Sequence, residues 1–334
     1  MKFLSILFLL SFTLGCNPAE ELSPPYVILQ RDGVQLFIAG TYHYTTQEYY
    51  QLYEKALKSR HLIAEELRTS DVFFSETGAL TLTREQQQSI QSILEPTDDK
   101  PSVQTIIDTW EPQRRERFLE NLKSFPQLNH VGRQQTFLGM QPFASGDYLR
   151  AVIIPLAIGL PRDYSVDFLY MELAKKANLE HLGLESVLQN ISLLDTMDQE
   201  SVLESLELFL SLRPHANELT QAQNQIIQQM HKSFSTGVMD FSTIQYYEAL
   251  GADAAYIQTS QSYNSLGSDV LVRQREEIWV QTIEDHIQSH PDRSKLFLAV
   301  GYGHLGHSDA RFLPLLEQAG WVVAQVGFRV GTVE

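Results

Sequence analysis

The sequence predicts an α/β fold: a central, mostly parallel or mixed sheet built from two βαβ-like halves, with a helical insertion between them. Two short apolar runs near opposite ends of the chain, at 34–39 and 296–300, each lead into a glycine. Short apolar runs bounded by turn residues are typical of buried strands. Each run is followed by a segment with apolar residues at helical spacing and then by another strand-like run. That order indicates a βαβ unit.

The first half begins with the predicted strand Val34–Ala39, and apolar residues then recur at helical spacing over Glu48–Leu67. The run Asp71–Glu76 is expected to form a second strand that ends in a carboxylate. A strand, a crossover helix and another strand imply two parallel strands. Because parallel strands end at the same edge of a sheet, we expect His43 and Glu76 to lie at one edge.

The middle of the chain, from Leu82 to about Ser235, is expected to be largely helical. Thr83 and Gln86 have the spacing of a capping box, in which each side chain bonds the backbone N–H of the other residue. The glutamine-rich tract at 221–229 has an apolar stripe and is therefore interpreted as helix and not as a disordered tract. The predicted elements here are helices at 85–94, 166–177, 199–212 and 219–234, with one strand at 180–184.

The last part of the chain is expected to form the second half of the sheet. A long helix from about Asp269 to Ser289 ends before a loop that contains Pro291. The strand at 296–300, a helix at 310–319 and a strand at 321–326 follow it. This order predicts a second βαβ unit that echoes the first without repeating its sequence.

The N-terminal segment resembles a bacterial lipoprotein signal peptide. Lys2 precedes an apolar stretch that is too short to span a bilayer, and Cys16, the only cysteine of the chain, follows it. We therefore expect a signal peptide at 1–15, lipidation of Cys16, a tether at 16–25 and a folded domain at 26–334. The alternative is a plain secretory peptide with an incidental cysteine.

A lipidated Cys16 would place the protein in the bacterial cell envelope, facing the periplasm. Asn17 stands where an aspartate is associated with retention in the inner membrane, which favours the outer membrane. The formal net charge is −16, and it becomes −17 once Lys2 is removed with the signal peptide. Such a charge argues against nucleic acid and anionic membrane surfaces as partners. The expected partners are a peptide or small-molecule substrate, with membrane contact through the lipid anchor only.

Two histidines are expected near the carboxyl ends of strands. The sequences Gly-Thr-Tyr-His at 40–43 and Gly-Tyr-Gly-His at 301–304 repeat one pattern, at the edge where open α/β sheets bind ligands. Two histidines and a carboxylate commonly bind a divalent metal, so His43, Glu76 and His304 predict a metal site. The alternative is structural, because a histidine after such a turn often caps a helix or bonds a backbone carbonyl.

Four segments, in order along the chain, resemble the TraB/GumN family, which is related to the Tiki metalloproteases that inactivate Wnt proteins. The first runs from the strand before Gly40 to Glu76, and the second from Asp167 through Leu184-Glu185 to Gln189. The third surrounds Arg275, and the fourth contains the Gly-Tyr-Gly-His sequence and the helix and strand after it. The segment from 82 to about 161 carries none of these motifs.

The resemblance implies a metal-dependent hydrolase that acts on peptides. Its metal, expected to be manganese, cobalt or zinc, is bound by His43, Glu76 and His304. Glu76 is either a ligand or the general base that activates water. Glu185 and Arg275 match further family positions and are expected to act in the pocket. Their alternatives are a helix-capping carboxylate for Glu185 and a helix-anchoring ion pair for Arg275.

Other functions stay open at this point. Some members of the family are described as regulators that shut down peptide pheromone signalling, so a non-catalytic protein that binds a peptide or signalling molecule is the main alternative. Hydrolysis of an ester is a further one. The sequence also departs from the family pattern: Glu276 replaces the asparagine that usually follows the arginine, and Gly306 comes one residue early after His304. These departures bear on the substrate more than on the fold.

Overall fold

A computed structural model describes residues 24–41, 47–58, 62–77, 83–125, 128–149, 165–211, 228, 231–239, 273–306 and 310–330. The predicted signal peptide, Cys16, nearly all of the tether, His43 and most of the predicted helix at 219–234 lie outside these residues. Within the described ranges, none of the helices combines the length and the apolar character needed to cross a membrane.

The strands of the described residues form two sheets. Six of them make one sheet, and the other two pair in a small parallel one. The strands are β1 (Tyr26–Arg31), β2 (Val34–Thr41), β3 (Val72–Thr77), β4 (Glu180–Glu185), β5 (Val238–Met239), β6 (Lys295–Gly301), β7 (Val322–Val326) and β8 (Arg329–Val330).

The helices surround the main sheet and fill the segment between its two halves. A short 3₁₀ helix at Tyr302–Leu305 directly follows β6. The α-helices that lie wholly within the described residues are α1 (Gln47–Lys58), α2 (Leu62–Thr69), α3 (Arg84–Leu94), α4 (Val103–Ile107), α5 (Pro112–Ser124), α6 (Val131–Gly139), α7 (Pro142–Tyr148), α8 (Val166–Lys176), α9 (Val187–Leu194), α10 (Gln199–Ser211), α11 (Arg275–Ser289) and α12 (Phe312–Gln318).

The main sheet is mixed, with the order β4-β3-β6-β2-β1-β7. Strand β6 pairs in parallel with both β2 and β3, and β3 pairs in parallel with β4. Strand β1 is antiparallel to both β2 and β7. The predicted α/β class with a mostly parallel or mixed sheet is therefore confirmed.

The two βαβ halves are interleaved and do not lie side by side. Strand β6, from the second half, lies between β2 and β3 of the first, while β7 lies at the far edge beyond β1. Burial explains this order. Strands β2, β3 and β6 are buried over most of their length and need cover on both faces, whereas β7 is mostly exposed.

The strand β1 was not expected from the sequence, which assigned the region before Val34 no strand. Asp32 and Gly33 join β1 to β2 with φ angles of 50° and 83°. Positive φ at both central residues is typical of the tight turns that connect hairpin strands, and Asp-Gly is a favoured sequence for them. The turn adds an antiparallel strand, which makes the sheet mixed.

One local prediction, a capping box, is confirmed, and a second box was not predicted. The capping box of Thr83 and Gln86 forms at the start of α3, with both hydrogen bonds in place. A second capping box, of Ser186 and Gln189, starts α9 directly after β4. The predicted helix at 48–67 is described as two helices, α1 and α2, separated by residues outside the described ranges.

Separate apolar cores cover the two faces of the sheet. One face packs residues of α1, α2 and α8 around Phe37 and Phe297, and the other packs α11 and α12 around Trp279 and Leu298. The helical insertion has a core of its own, which includes Phe118 and Leu206. The sheet therefore has helices on both faces, and two buried polar residues, Thr41 and Glu185, end strands at its carboxyl edge.

Candidate functional site

The carboxyl ends of four parallel strands meet at one edge of the sheet. In the register of β2 and β6, Thr41 lies opposite Gly301, and in that of β3 and β4, Thr77 lies opposite Glu185. Gly40 and Gly301 therefore occupy neighbouring strand ends, as the repeated motif predicts. The side chain of His43 lies outside the described residues, so its convergence with His304 stays a prediction.

Glu76 is held by donors at both of its carboxylate oxygens. The backbone N–H of Gly301 donates to Oε1 at 2.6 Å, and Arg275 Nη2 donates to Oε2 at 2.8 Å. A Cβ atom at position 301 would lie 3.1 Å from Glu76 Oε1, which is closer than most real Cβ contacts. The glycine of the second motif thus lets the end of β6 approach the carboxylate of β3.

Arg275, the first residue of α11, joins Glu76 to Glu185. Its Nε donates to Glu185 Oε1 at 2.8 Å and its Nη2 donates to the same oxygen at 2.5 Å. Asn190 also donates to Glu185 Oε1, at 3.0 Å. Burial of the guanidinium acts to lower the pKa of Arg275, but the charges and hydrogen bonds of the two glutamates outweigh it and leave that pKa raised. Arg275 is therefore a fixed positive charge.

The two alternatives considered for these residues have different outcomes. The alternative for Glu185 was a helix-capping carboxylate. The N-cap of α9 is instead its neighbour Ser186, whose hydroxyl accepts the N–H of Gln189. The helix-anchoring ion pair proposed for Arg275 is present, with side-chain exposures of 13% for Arg275 and 0% for Glu185. A role for either residue in the pocket stays a prediction.

His304 is fixed by a carboxylate that sequence reasoning did not place in the site. Its Nδ1 lies 2.6 Å from Glu276 Oε1, and the backbone N–H of Arg311 donates to Glu276 Oε2 at 2.6 Å. The ring of Trp279 lies 4.5 Å from the imidazole ring, between their centroids. Glu276 is fully buried. The only sequence signal for it was that it replaces the asparagine typical of the family.

The two potential metal donors face each other across a short gap. His304 Nε2 lies 3.9 Å from Glu76 Oε1, and each side chain is 12% exposed. That distance is too long for a hydrogen bond. Zinc binds imidazole nitrogen at about 2.0–2.1 Å and carboxylate oxygen at about 2.0–2.2 Å, so two such donors to one ion lie within about 4.3 Å of each other. One ion could therefore contact both atoms.

The charge of these side chains is unbalanced. We name Glu76, Glu185, Arg275, Glu276 and His304 the site cluster. With His304 neutral, three carboxylates against one guanidinium leave this cluster a formal charge of −2. Buried charge of one sign is costly unless it is compensated. The donor types and the charge of the site cluster both fit a divalent cation.

The described residues do not complete a ligand set by themselves. They contain no group of three histidine, cysteine, aspartate or glutamate side chains arranged to hold a metal ion. The predicted third ligand, His43, follows Thr41, which ends β2. Thr41 is itself fully buried and donates to Asp167 Oδ1 at 2.6 Å, which fixes the end of β2 to the start of α8.

A comparison with known protein families identifies the family of this chain. A sequence model of the TraB/PrgY/gumN family matches residues 26–325, nearly the whole chain. The chain belongs to the TraB/PrgY/gumN family. The match extends from the first residue of β1 almost to the end of β7, so the site cluster lies within it. A comparison with curated proteins gives no match. The family predicted from four motifs is confirmed, and family membership by itself names no metal or substrate.

Proposed function

We propose that this member of the TraB/PrgY/gumN family is a metal-dependent hydrolase that cleaves peptides. The observation that carries the proposal is the site cluster: buried carboxylates beside an imidazole, with the imidazole nitrogen of His304 and a carboxylate oxygen of Glu76 3.9 Å apart. Such a set binds a divalent cation far more readily than an anion. Its position at the carboxyl edge of the sheet is also the usual position of ligand sites in open α/β folds.

In this proposal, His304 and Glu76 hold the ion, with His43 as the third ligand. A divalent ion there would supply the activation of water that hydrolysis needs. Arg275 and the N–H of Gly301 hold the two carboxylate oxygens of Glu76 in place. Both oxygens have donors already, which favours a ligand that stays fixed over a base that must give and take a proton. Glu185 keeps Arg275 oriented through two hydrogen bonds from one guanidinium edge.

The first experiment measures metal content of the folded protein, purified without a tag, and peptide hydrolysis with manganese, cobalt or zinc added. We expect one ion per chain and metal-dependent turnover. His304→Ala should abolish or severely weaken metal binding. Glu76→Gln should weaken it if Glu76 is a ligand, or leave it intact with turnover lost if Glu76 is the base. The matched control is Glu284→Gln, on the same helix as Arg275, which should retain both properties.

A non-catalytic binding protein is the second candidate. The specific observation in its favour is that Glu76, Arg275 and Glu185 already satisfy one another through hydrogen bonds. If the wild-type protein takes up no divalent metal, and the histidine variants change only its stability, this second function is the correct one. Metal uptake without turnover on any peptide would instead point to another substrate, such as an ester.

The proposed location is the bacterial envelope, with the protein anchored by lipid at Cys16 and facing the periplasm. This proposal rests on the sequence before Tyr26, and the several acyl chains of a lipoprotein would anchor it firmly. Cys16→Ser should release the protein from membranes into the soluble fraction. If that variant sediments with membranes as the wild type does, the anchor is elsewhere.

A further inference from the structure

The carboxylate of Glu276 has two partners, and both bear on His304. The backbone N–H of Arg311 can only donate, so Glu276 Oε2 accepts from it at 2.6 Å. Glu276 Oε1 lies at 2.6 Å from His304 Nδ1, a short distance that is typical of a hydrogen bond with a charged partner. An ionised carboxylate can only accept, so with Glu276 ionised the proton of this second bond lies on Nδ1.

The local sequence places this carboxylate under the imidazole. Glu276 lies in the first turn of α11, where the helix dipole stabilises a negative charge. Trp279 comes three residues later and thus lies on the same face of α11, and its ring packs against that of His304. The imidazole is therefore held at one nitrogen and along its ring, with Nε2 directed to the side of Glu76.

We infer that Glu276 is a positioning residue: its carboxylate holds the proton of His304 on Nδ1 and so presents Nε2 as an unprotonated nitrogen facing Glu76. An imidazole can bind a metal only through a nitrogen that carries no proton, and a carboxylate behind a ligating histidine fixes its orientation and raises its basicity. Glu276 thereby fixes both the tautomer and the orientation of His304.

The inference deepens the proposed function, on which its metal-binding consequence rests, but the tautomer itself can be measured without metal. The probe is the metal-free, full-length protein with ¹⁵N-labelled histidine, and the measurement is the two-bond ¹H–¹⁵N correlation spectrum. We record it at about pH 8, where free histidine is neutral. The His304→Ala spectrum identifies the signals of His304. We expect a protonated Nδ1 and an unprotonated Nε2.

Glu276→Gln tests the cause. A glutamine has one acceptor oxygen and one donor NH₂ group. If its oxygen accepts the N–H of Arg311, its NH₂ group faces Nδ1, and the proton of His304 must move to Nε2. We therefore expect the His304 signals to shift toward the Nε2-protonated tautomer. The dissociation constant for manganese or zinc should rise by about 10- to 100-fold, as is usual for loss of such a partner.

Glu284→Gln is the matched control, since it makes the same substitution on the same helix at a carboxylate that also accepts two donors. It should leave both the tautomer of His304 and the metal affinity unchanged. A wild-type His304 with a proton on Nε2 would overturn the inference, even if Glu276→Gln did not fold. So would a Glu276→Gln spectrum with the wild-type tautomer. Absence of metal uptake by the wild type would instead count against the proposed function alone.

Discussion

Helix α11 contributes carboxylates to two clusters of charge, one at each end, and they differ in balance. At its start lies the site cluster, with three carboxylates and one guanidinium. Nearer its end lies what we call the Glu284 cluster, formed by Arg31, Glu284 and Trp321. There, Arg31 donates to both oxygens of Glu284 at 2.9 and 2.7 Å, and the indole N–H of Trp321 donates at 2.9 Å.

The comparison separates a structural ion pair from a site. The Glu284 cluster has one positive and one negative charge, and its side chains are 19% and 28% exposed for Arg31 and Glu284. The Glu284 cluster is neutral and partly exposed to water, so its charges need no further ion to balance them. The site cluster is more deeply buried, and its five named side chains sum to a formal charge of −2, with Arg275 paired to both Glu76 and Glu185. This difference is the basis of the proposal that the site cluster binds a cation.

The largest expected effect comes from removing the shared guanidinium. Arg275→Met leaves Glu76 and Glu185 buried without their main positive partner. Breaking a buried pair in this way typically costs about 3–5 kcal/mol in the free energy of unfolding. Urea unfolding followed by circular dichroism measures it. The expected result is a much lower unfolding midpoint.

Arg31→Met is the matched control for that change, because it removes the arginine of the Glu284 cluster. That pair is less buried, and Glu284 keeps the indole N–H of Trp321 as a donor, so its loss should lower the free energy of unfolding by less than the loss of Arg275 does. Equal losses for the Arg31 and Arg275 variants would contradict the distinction between the two clusters.

The next expected effect is stabilisation by metal. A ligand that binds only the folded state, at about 100 times its dissociation constant, raises the free energy of unfolding by about 2.7 kcal/mol. We expect manganese, cobalt or zinc to stabilise the wild type by an amount of this order in thermal or urea unfolding. Glu284→Gln should respond as the wild type does, and His304→Ala should not respond. A response that survives in His304→Ala would place the ion outside the site cluster.

A set of glycine substitutions sharpens the comparison further. An added Cβ at Gly40 would lie 2.7 Å from Pro25 Cγ, which belongs to a rigid ring, while one at Gly303 would meet nothing within 4 Å. Gly40→Ala should therefore lower the free energy of unfolding by about 1–3 kcal/mol. Gly303→Ala should cause no such loss, because its added Cβ is not overpacked. Gly301→Ala pushes on the Glu76 carboxylate instead, so it should weaken metal binding more than stability. If Gly301→Ala binds metal as well as Gly303→Ala does, the close approach of Gly301 to Glu76 does not contribute to metal affinity.

The sequence predicted the local elements of the fold but not the order of its strands. Glycine-bounded apolar runs located β2 and β6, and helical spacing located the long helix that includes α11. The insertion of β6 between β2 and β3 could not be predicted in this way, because periodicity describes one segment and not its neighbours in space. Strand β1 was missed, although Asp32-Gly33 is a sequence typical of hairpin turns.

The site was predicted in part, for a similar reason. Motif spacing identified Glu76, Glu185, Arg275 and His304, and the structure brings these four together. Motif spacing could not predict that Arg275 pairs with glutamates that are 199 and 90 residues away in the chain. Glu276 was visible only as a departure from a family pattern. Its contact with His304 depends on how α11 packs against the end of β6.

The smallest expected effect lies near the far end of α11, at His286. The ring is buried against Phe74 and stacks on His290, while Arg293 contacts its Nε2 at 3.4 Å. Burial lowers the pKa of His286 below its usual value of 6.5, and His290 and Arg293 lower it further, against an opposing effect of Glu180. The folded protein therefore takes up this proton at a lower pH than the unfolded chain does.

The sign of the pH dependence follows from that order. Above about pH 6.5 the residue is neutral in both states, and its contribution to stability is fully present. As the pH falls below that value, the unfolded chain gains the proton first, so the free energy of unfolding declines until the pH reaches the lowered pKa.

His286→Gln should lose less stability than the wild type in urea unfolding between about pH 7 and pH 5. His130→Gln, at an exposed histidine that starts α6, is the control and should follow the wild type. A His286→Gln profile with the full wild-type slope would show that other groups, and not this buried imidazole, set the acid sensitivity of the fold.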